Sequence, residues 1–244
     1  MKATQLMGVR FQLSRYGNWN LTPIKVLGFT LIEVLVAISI LALMAVMSWR
    51  GLDGMARTQT QTQAHSDEVQ TLQSGLAQWG ADLDAMLPLP QVNAIDWDGR
   101  VLRITRRSRN ANDEGVLVVG WTRRVVNGSG QWLRWQSPPL HTRADLMQAW
   151  QTAALWAQNP SDEARKLEVT IVPLTQWQIF YYRNDAWSNP LSSDAGSNAT
   201  TPAVVGESAI PLGVRLVLTL PPGQALTGTL TRDWVRPTVG GGKS

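Results

Sequence analysis

The sequence predicts an α+β fold in which one long N-terminal helix packs on antiparallel β-sheet. Three observations carry this. Residues 29–49 form an unbroken apolar run with a single ionisable side chain, Glu33. Beyond it, apolar residues recur at spacings of three and four, the signature of one buried helical face. The remaining two thirds of the chain reads as short β-rich runs separated by Gly, Pro, Asn and Asp clusters.

The 244 residues leave room for one globular domain plus an extension. The formal charge of +4 points at first to a nucleic-acid or membrane-surface binder, but its distribution does not. Lys2, Arg10, Arg15 and Lys25 lie in the first 28 residues, which hold no acid, and the rest of the chain is balanced at 18 basic and 18 acidic residues. The basic character therefore belongs to the N-terminal segment. The absence of cysteine excludes disulfides, thiolate catalysis and Cys-based metal sites.

A helix over residues 29–49 would span roughly 31 Å at about 1.5 Å per residue, the thickness of a bilayer's hydrocarbon core. Basic residues precede it and a polar helical stretch follows, which predicts a single-pass span with a cytoplasmic N-terminus. A carboxylate inside such a helix costs roughly 2.5–3.5 kcal/mol, so Glu33 has two readings: it snorkels to the headgroups, or it has a partner.

Residues 50–86 continue the helix. Val69, Leu72, Leu76, Trp79, Leu83 and Met86 form its apolar seam, while the turns around ARTQTQTQAHSDE are polar and unsuited to burial. Pro88 and Pro90 end it. Strands are expected at 101–107, 116–126 and 131–136, with a hairpin signal at Asn127-Gly128-Ser129-Gly130. Thr142 with Asp145 three residues on predicts the start of a helix running to 157, with Leu146, Trp150 and Ala154 on one face. Further strands follow at 167–172, 176–183, 214–220 and 225–235, with a loop over 188–208. The domain organisation read in this way is a basic leader at 1–28, a transmembrane helix at 29–49, a helical extension at 50–87, a globular domain at 88–236 and a disordered tail at 237–244.

Gly28-Phe29-Thr30-Leu31-Ile32-Glu33, at the head of the apolar helix, resembles the type IV prepilin processing and N-methylation motif. The resemblance implies that a prepilin peptidase cuts after Gly28 and methylates Phe29. It also implies that Glu33 pairs with the N-terminal amine of a neighbouring subunit, each buried charge lowering the other's cost. Within the pilin-like superfamily the chain most resembles the J-type minor pseudopilins of type II secretion (general secretion pathway protein J). That likeness rests on Trp49-Arg50-Gly51-Leu52, on LQSGLAQWGADLDAM and on GVRLVLTLPPGQALTGTLTRDWVRP. It implies a pilin-like fold, I- and K-type minor pseudopilins as partners, an inner-membrane anchor with the C-terminal domain in the periplasm, and a place at the tip of a pseudopilus that drives exoprotein export. The alternative is a minor pilin of a type IV pilus, serving DNA uptake, adhesion or twitching.

No enzymatic activity, cofactor or metal is expected. His65 and His141 stand in no ligand spacing, and Asp96-Trp97-Asp98-Gly99 resembles the start of an EF-hand loop without its later ligands. Arg103, Arg106, Arg107, Arg109, Arg123 and Arg124 with Trp121 have two readings: a single-strand nucleic-acid platform, or a solvated face that pairs with a partner's acids. The second fits the balanced charge, so no nucleic acid is expected. Trp132 and Trp135 cannot share one face of a regular strand, which marks some tryptophans as spare and available for a subunit contact.

Overall fold

The computed structural model describes residues 28–108, 115–183, 185–192 and 210–237. Most of the basic leader, the centre of the 188–208 loop and nearly all of the tail lie outside the described residues. The chain divides into two compact units, 1–56 and 57–244. Helix α1 (Leu31–Asp84) is 54 residues long, and Gly51 and Gly54 lie within it without interrupting it.

In the first unit every described residue is exposed, including the apolar side chains from Phe29 through Met55. Such a surface is stable only in lipid or against other apolar helices.

In the second unit, nine strands among the described residues form two antiparallel sheets. The first is a meander in chain order: β1 (Ile95–Trp97), β2 (Val101–Arg107), β3 (Val116–Val126), β4 (Ser129–Gln136) and β5 (Glu168–Pro173). Asn127 (φ 51°) and Gly128 (φ 79°) make the two-residue turn joining β3 to β4, the left-handed geometry that matches strand twist. Helices α2 (Arg143–Gln158) and α3 (Asp162–Lys166) fall between β4 and β5. The Asp145 amide donates to the Thr142 hydroxyl at 3.1 Å, the expected cap of α2. The second sheet has the order β7-β6-β8-β9, built from β6 (Gln176–Arg183), β7 (Ala186–Ser188), β8 (Gly213–Leu220) and β9 (Gly228–Val235).

The first sheet is covered on both faces. One core joins Leu72, Trp79 and Leu83 of α1 to Leu102, Ile104, Trp121 and Trp132 of the first sheet and to Ile179, Leu216 and Trp234 of the second. The other joins Val101, Val118, Leu133 and Trp135 to Leu146, Trp150, Ala153 and Trp156 of α2. This corrects the reading of Trp132 and Trp135. They do face opposite ways, but each fills a core, so neither is spare.

Two boundaries differ clearly from expectation. Helix α1 ends at Asp84, because the next residues exchange helical hydrogen bonds for strand-like ones: Leu87 N–H donates to Thr105 O and Arg107 N–H to Ala85 O. Met86 thus packs on the core from beyond the helix end. Strand β9 starts at Gly228 and not at 225, since the Ala225 amide donates to Glu68 of α1 at 2.8 Å. The short β1, α3 and β7 lack periodicity long enough to be read in sequence.

Candidate functional site

The N-terminal motif sits where the long helix begins. Gly28, Phe29 and Thr30 precede α1, and Phe29 is 82% exposed. Thr30 and Glu33 cap the helix reciprocally: the Glu33 amide faces the Thr30 hydroxyl at 3.4 Å, and the Thr30 amide faces a Glu33 carboxylate oxygen at 3.4 Å. This is a capping box, which satisfies two of the donors that a helix start leaves orphaned. Glu33 therefore has a local role that the sequence reading missed, although Thr-x-x-Glu ahead of an apolar run is its signature. Its carboxylate also lies in the first turn, where the helix dipole favours negative charge.

The seam residues separate by depth. Leu72, Trp79 and Leu83 are buried, Leu76 and Met86 are half-buried against the same core, and Val69 is half-buried on the wall of a groove beside β5. Two residues on that face went unread. Gly75 is buried because α1 crosses β5 closely, and a Cβ there would fall 2.5 Å from Ile171 Cγ2.

Asp82 is the other, three residues after Trp79 and fully buried. Its carboxylate pairs with Arg106 of β2, accepts from Arg134 of β4 at 2.8 and 2.9 Å, and accepts the Trp121 indole N–H at 2.9 Å. One helical acid thereby ties three strands of the first sheet to α1.

The arginines expected to form one cluster are dispersed and largely spent within the chain. On β2, Arg106 points to Asp82, whereas Arg103 lies on the other face, over the Trp150 ring and paired with Asp96 and Asp98. Arg124 Nη2 donates to both carboxylate oxygens of Glu168, at 2.8 and 2.7 Å. Arg107 is exposed, and Arg109 lies outside the described residues. Trp121 is fully buried and offers no ring to a base. The shared platform is therefore corrected, and for Arg103, Arg106 and Arg124 so is the solvated face: the acids that meet these three arginines belong to this chain.

Asp98 accepts the Arg100 and Val101 amides at 2.9 Å, and Gly99 takes φ 90°, so Asp96-Trp97-Asp98-Gly99 is a turn whose acids face Arg103. His65 and His141 are exposed. Among the described residues no three His, Cys, Asp or Glu side chains come together as metal ligands would.

These features define the class. The chain is α+β, with a long apolar N-terminal helix and antiparallel sheets, and that helix is the one described helix long and apolar enough to cross a membrane. At its head the chain carries the prokaryotic N-terminal methylation motif, whose family model matches residues 25–49. Among solved structures it is similar to a chain of the GspK-GspI-GspJ complex from the type 2 secretion system of enterotoxigenic Escherichia coli. The identity is 18%, the match covers 69% of this chain and 96% of that one, and the TM-score is 0.39. No curated protein matches the chain.

Proposed function

We propose that this chain is a minor pseudopilin of type II secretion, of the J type, and acts as a structural subunit without enzymatic activity. In this reading a prepilin peptidase cuts between Gly28 and Phe29 and methylates Phe29. The apolar helix then anchors the subunit in the inner membrane, N-terminus in the cytoplasm, with residues 50–244 in the periplasm. There it joins I- and K-type minor pseudopilins at the pseudopilus tip. The carrying observation is the methylation motif placed at the exposed start of a long apolar helix, with Glu33 in its first turn.

The type IV pilus alternative shares this N-terminus. Its specific support was the arginine platform, and those arginines are distributed over two faces of the first sheet.

Two measurements test the proposal. Intact-mass analysis of protein from membranes should give a chain beginning at N-methylated Phe29, and Gly28→Val should leave the precursor uncut. Any other start on membrane-assembled protein would overturn the processing. Co-purification with I- and K-type minor pseudopilins, and its absence with type IV minor pilins, then separates the two systems.

A further inference from the structure

One groove in the second unit carries charge that the fold does not use. Its volume is about 540 Å³, and it is lined by the turn before β2, the C-terminal part of β3, the end of α2 and the start of β6. No Asp or Glu lines it. Arg124, on one wall, is neutralised by Glu168. Arg100 and Arg123 differ: among the described residues neither has a carboxylate partner.

These two arginines are also neighbours. Val101 is in register with Thr122, and the Thr122 hydroxyl donates to Arg100 O at 2.8 Å, so the Arg100 and Arg123 backbones lie at the same level of adjacent segments. Like charges directly opposite one another destabilise a sheet. The fold nevertheless holds Arg123 in place. Its Nε donates to Leu174 O at 3.1 Å, and a Cβ on Gly130 would fall 2.5 Å from its Nη2 and 2.3 Å from Leu174 O. Position 130 must therefore be glycine for this guanidinium to sit where it does. Arg123 and Arg100 both line the groove, the Arg123 guanidinium leaning over Gly130 of β4. Paired guanidinium forks match carboxylates, and anchoring one in advance lowers the entropy cost of the match.

We propose that this groove binds an acidic peptide segment of a partner protein, with Arg100 and Arg123 each receiving a side-chain carboxylate. The amides of Gln158, Gln176 and Gln178, which have no hydrogen-bond partner among the described residues, supply donors and acceptors to the peptide backbone. Single-stranded nucleic acid fits less well, because it binds by stacking bases on exposed rings. Trp121 and Trp156 are fully buried, and half-buried Trp177 is held edge-on to Trp97 at 4.8 Å. The inference goes beyond the filament reading and does not depend on it.

The test is fluorescence anisotropy with the full chain in a non-ionic detergent, using a labelled hexaglutamate peptide, a hexaglutamine peptide and a dT oligonucleotide of equal length. Hexaglutamate should bind and hexaglutamine should not. Arg100→Gln and Arg123→Gln should each weaken binding about tenfold, the loss expected when one charge-assisted bond of about 1.4 kcal/mol is removed. Exposed Arg107→Gln, at the far end of β2, should leave binding unchanged. Loss of binding in Arg107→Gln equal to that in Arg100→Gln would mean non-specific attraction and overturn the site, as would no hexaglutamate binding at all. Tighter binding of the oligonucleotide would transfer the groove to nucleic acid. Should Arg123→Gln fail to fold, Arg100→Gln alone decides, since its exposed side chain makes no hydrogen bond or ion pair among the described residues.

Discussion

Asp82 shows how one residue can join elements that hydrophobic packing alone would leave free to slide. Apolar contacts of α1 with the sheet are non-directional, whereas a carboxylate that meets two guanidinium groups and an indole has essentially one geometry. A buried ion pair is weak evidence for net stability, but breaking one from a single side is costly. Asp82→Ala should therefore destabilise the second unit by about 3–5 kcal/mol in denaturant titrations, since two guanidinium groups lose their acceptor inside the protein. Asp82→Asn keeps the shape and one acceptor oxygen and should cost less, and equal losses for both would mean that the charge, which both variants lack, carries the whole interaction. Tyr181 is the opposite case. Its hydroxyl is buried with no partner among the described residues, and burial, with the nearby Asp96 charge, pushes its pKa far above the usual phenol range. The phenol stays neutral in the folded chain, so its contribution is constant below the ordinary phenol pKa of about 10 and stability falls as pH rises above it, where only the unfolded chain ionises. Tyr181→Phe removes an unsatisfied polar atom and should raise stability by about 1 kcal/mol. A loss on that substitution would reveal a partner for the hydroxyl.

At the scale of elements, legibility followed length and period. Helix α1, the seam and the long strands were readable because each repeats its pattern over several turns or pleats. Strand β1 and helix α3, at three and five residues, are too short to show a period, and tertiary contacts define them. The seam was read through its apolar residues alone, so Gly75 and Asp82 on the same face went unnoticed although their spacing from Leu72 and Trp79 is helical. The arginines were misjudged for a related reason. Sequence places them on neighbouring strands, but alternation sends Arg103 and Arg106 to opposite faces, and the acids that meet Arg106 and Arg124 are 24 and 44 residues away. Two substitutions test the packing of α1 against the sheet. Leu83→Ala should cost about 2–5 kcal/mol, while Leu76→Ala, half-buried, should fall at or below the lower end. Gly75→Ala should destabilise as well, by about 1 kcal/mol net, because overpacking against Ile171 outweighs the gain of similar size in helix propensity. A stabilising Gly75→Ala would show that Ile171 yields freely.

At the scale of the whole molecule, charge is partitioned by position: the excess of basic residues lies ahead of the apolar helix, and the remainder is balanced, with Arg103, Arg106, Arg124, Arg134 and Arg215 paired to acids of the chain. Glu33 stands between these regions, and the capping box makes its test cleaner. Glutamine can replace glutamate at the third position of such a box, so Glu33→Gln preserves the helix start while removing the charge. If Glu33 only caps and snorkels, Glu33→Gln should insert, mature and assemble as the native chain does. If its carboxylate meets the methylated amine of a neighbouring subunit, the substitution leaves that ammonium buried without a partner, a loss of about 3–5 kcal/mol at the contact. The proposed assembly role predicts the second outcome: normal membrane insertion and normal cleavage after Gly28, with crosslinking to partner subunits and secretion both reduced. Glu33→Ala removes cap and charge together and should add fraying of the first turn, seen as faster amide exchange there, without a further drop in crosslinking. The comparison of the two variants therefore separates the helix start from the subunit contact. Native levels of crosslinking and secretion in Glu33→Gln would confine Glu33 to the capping box.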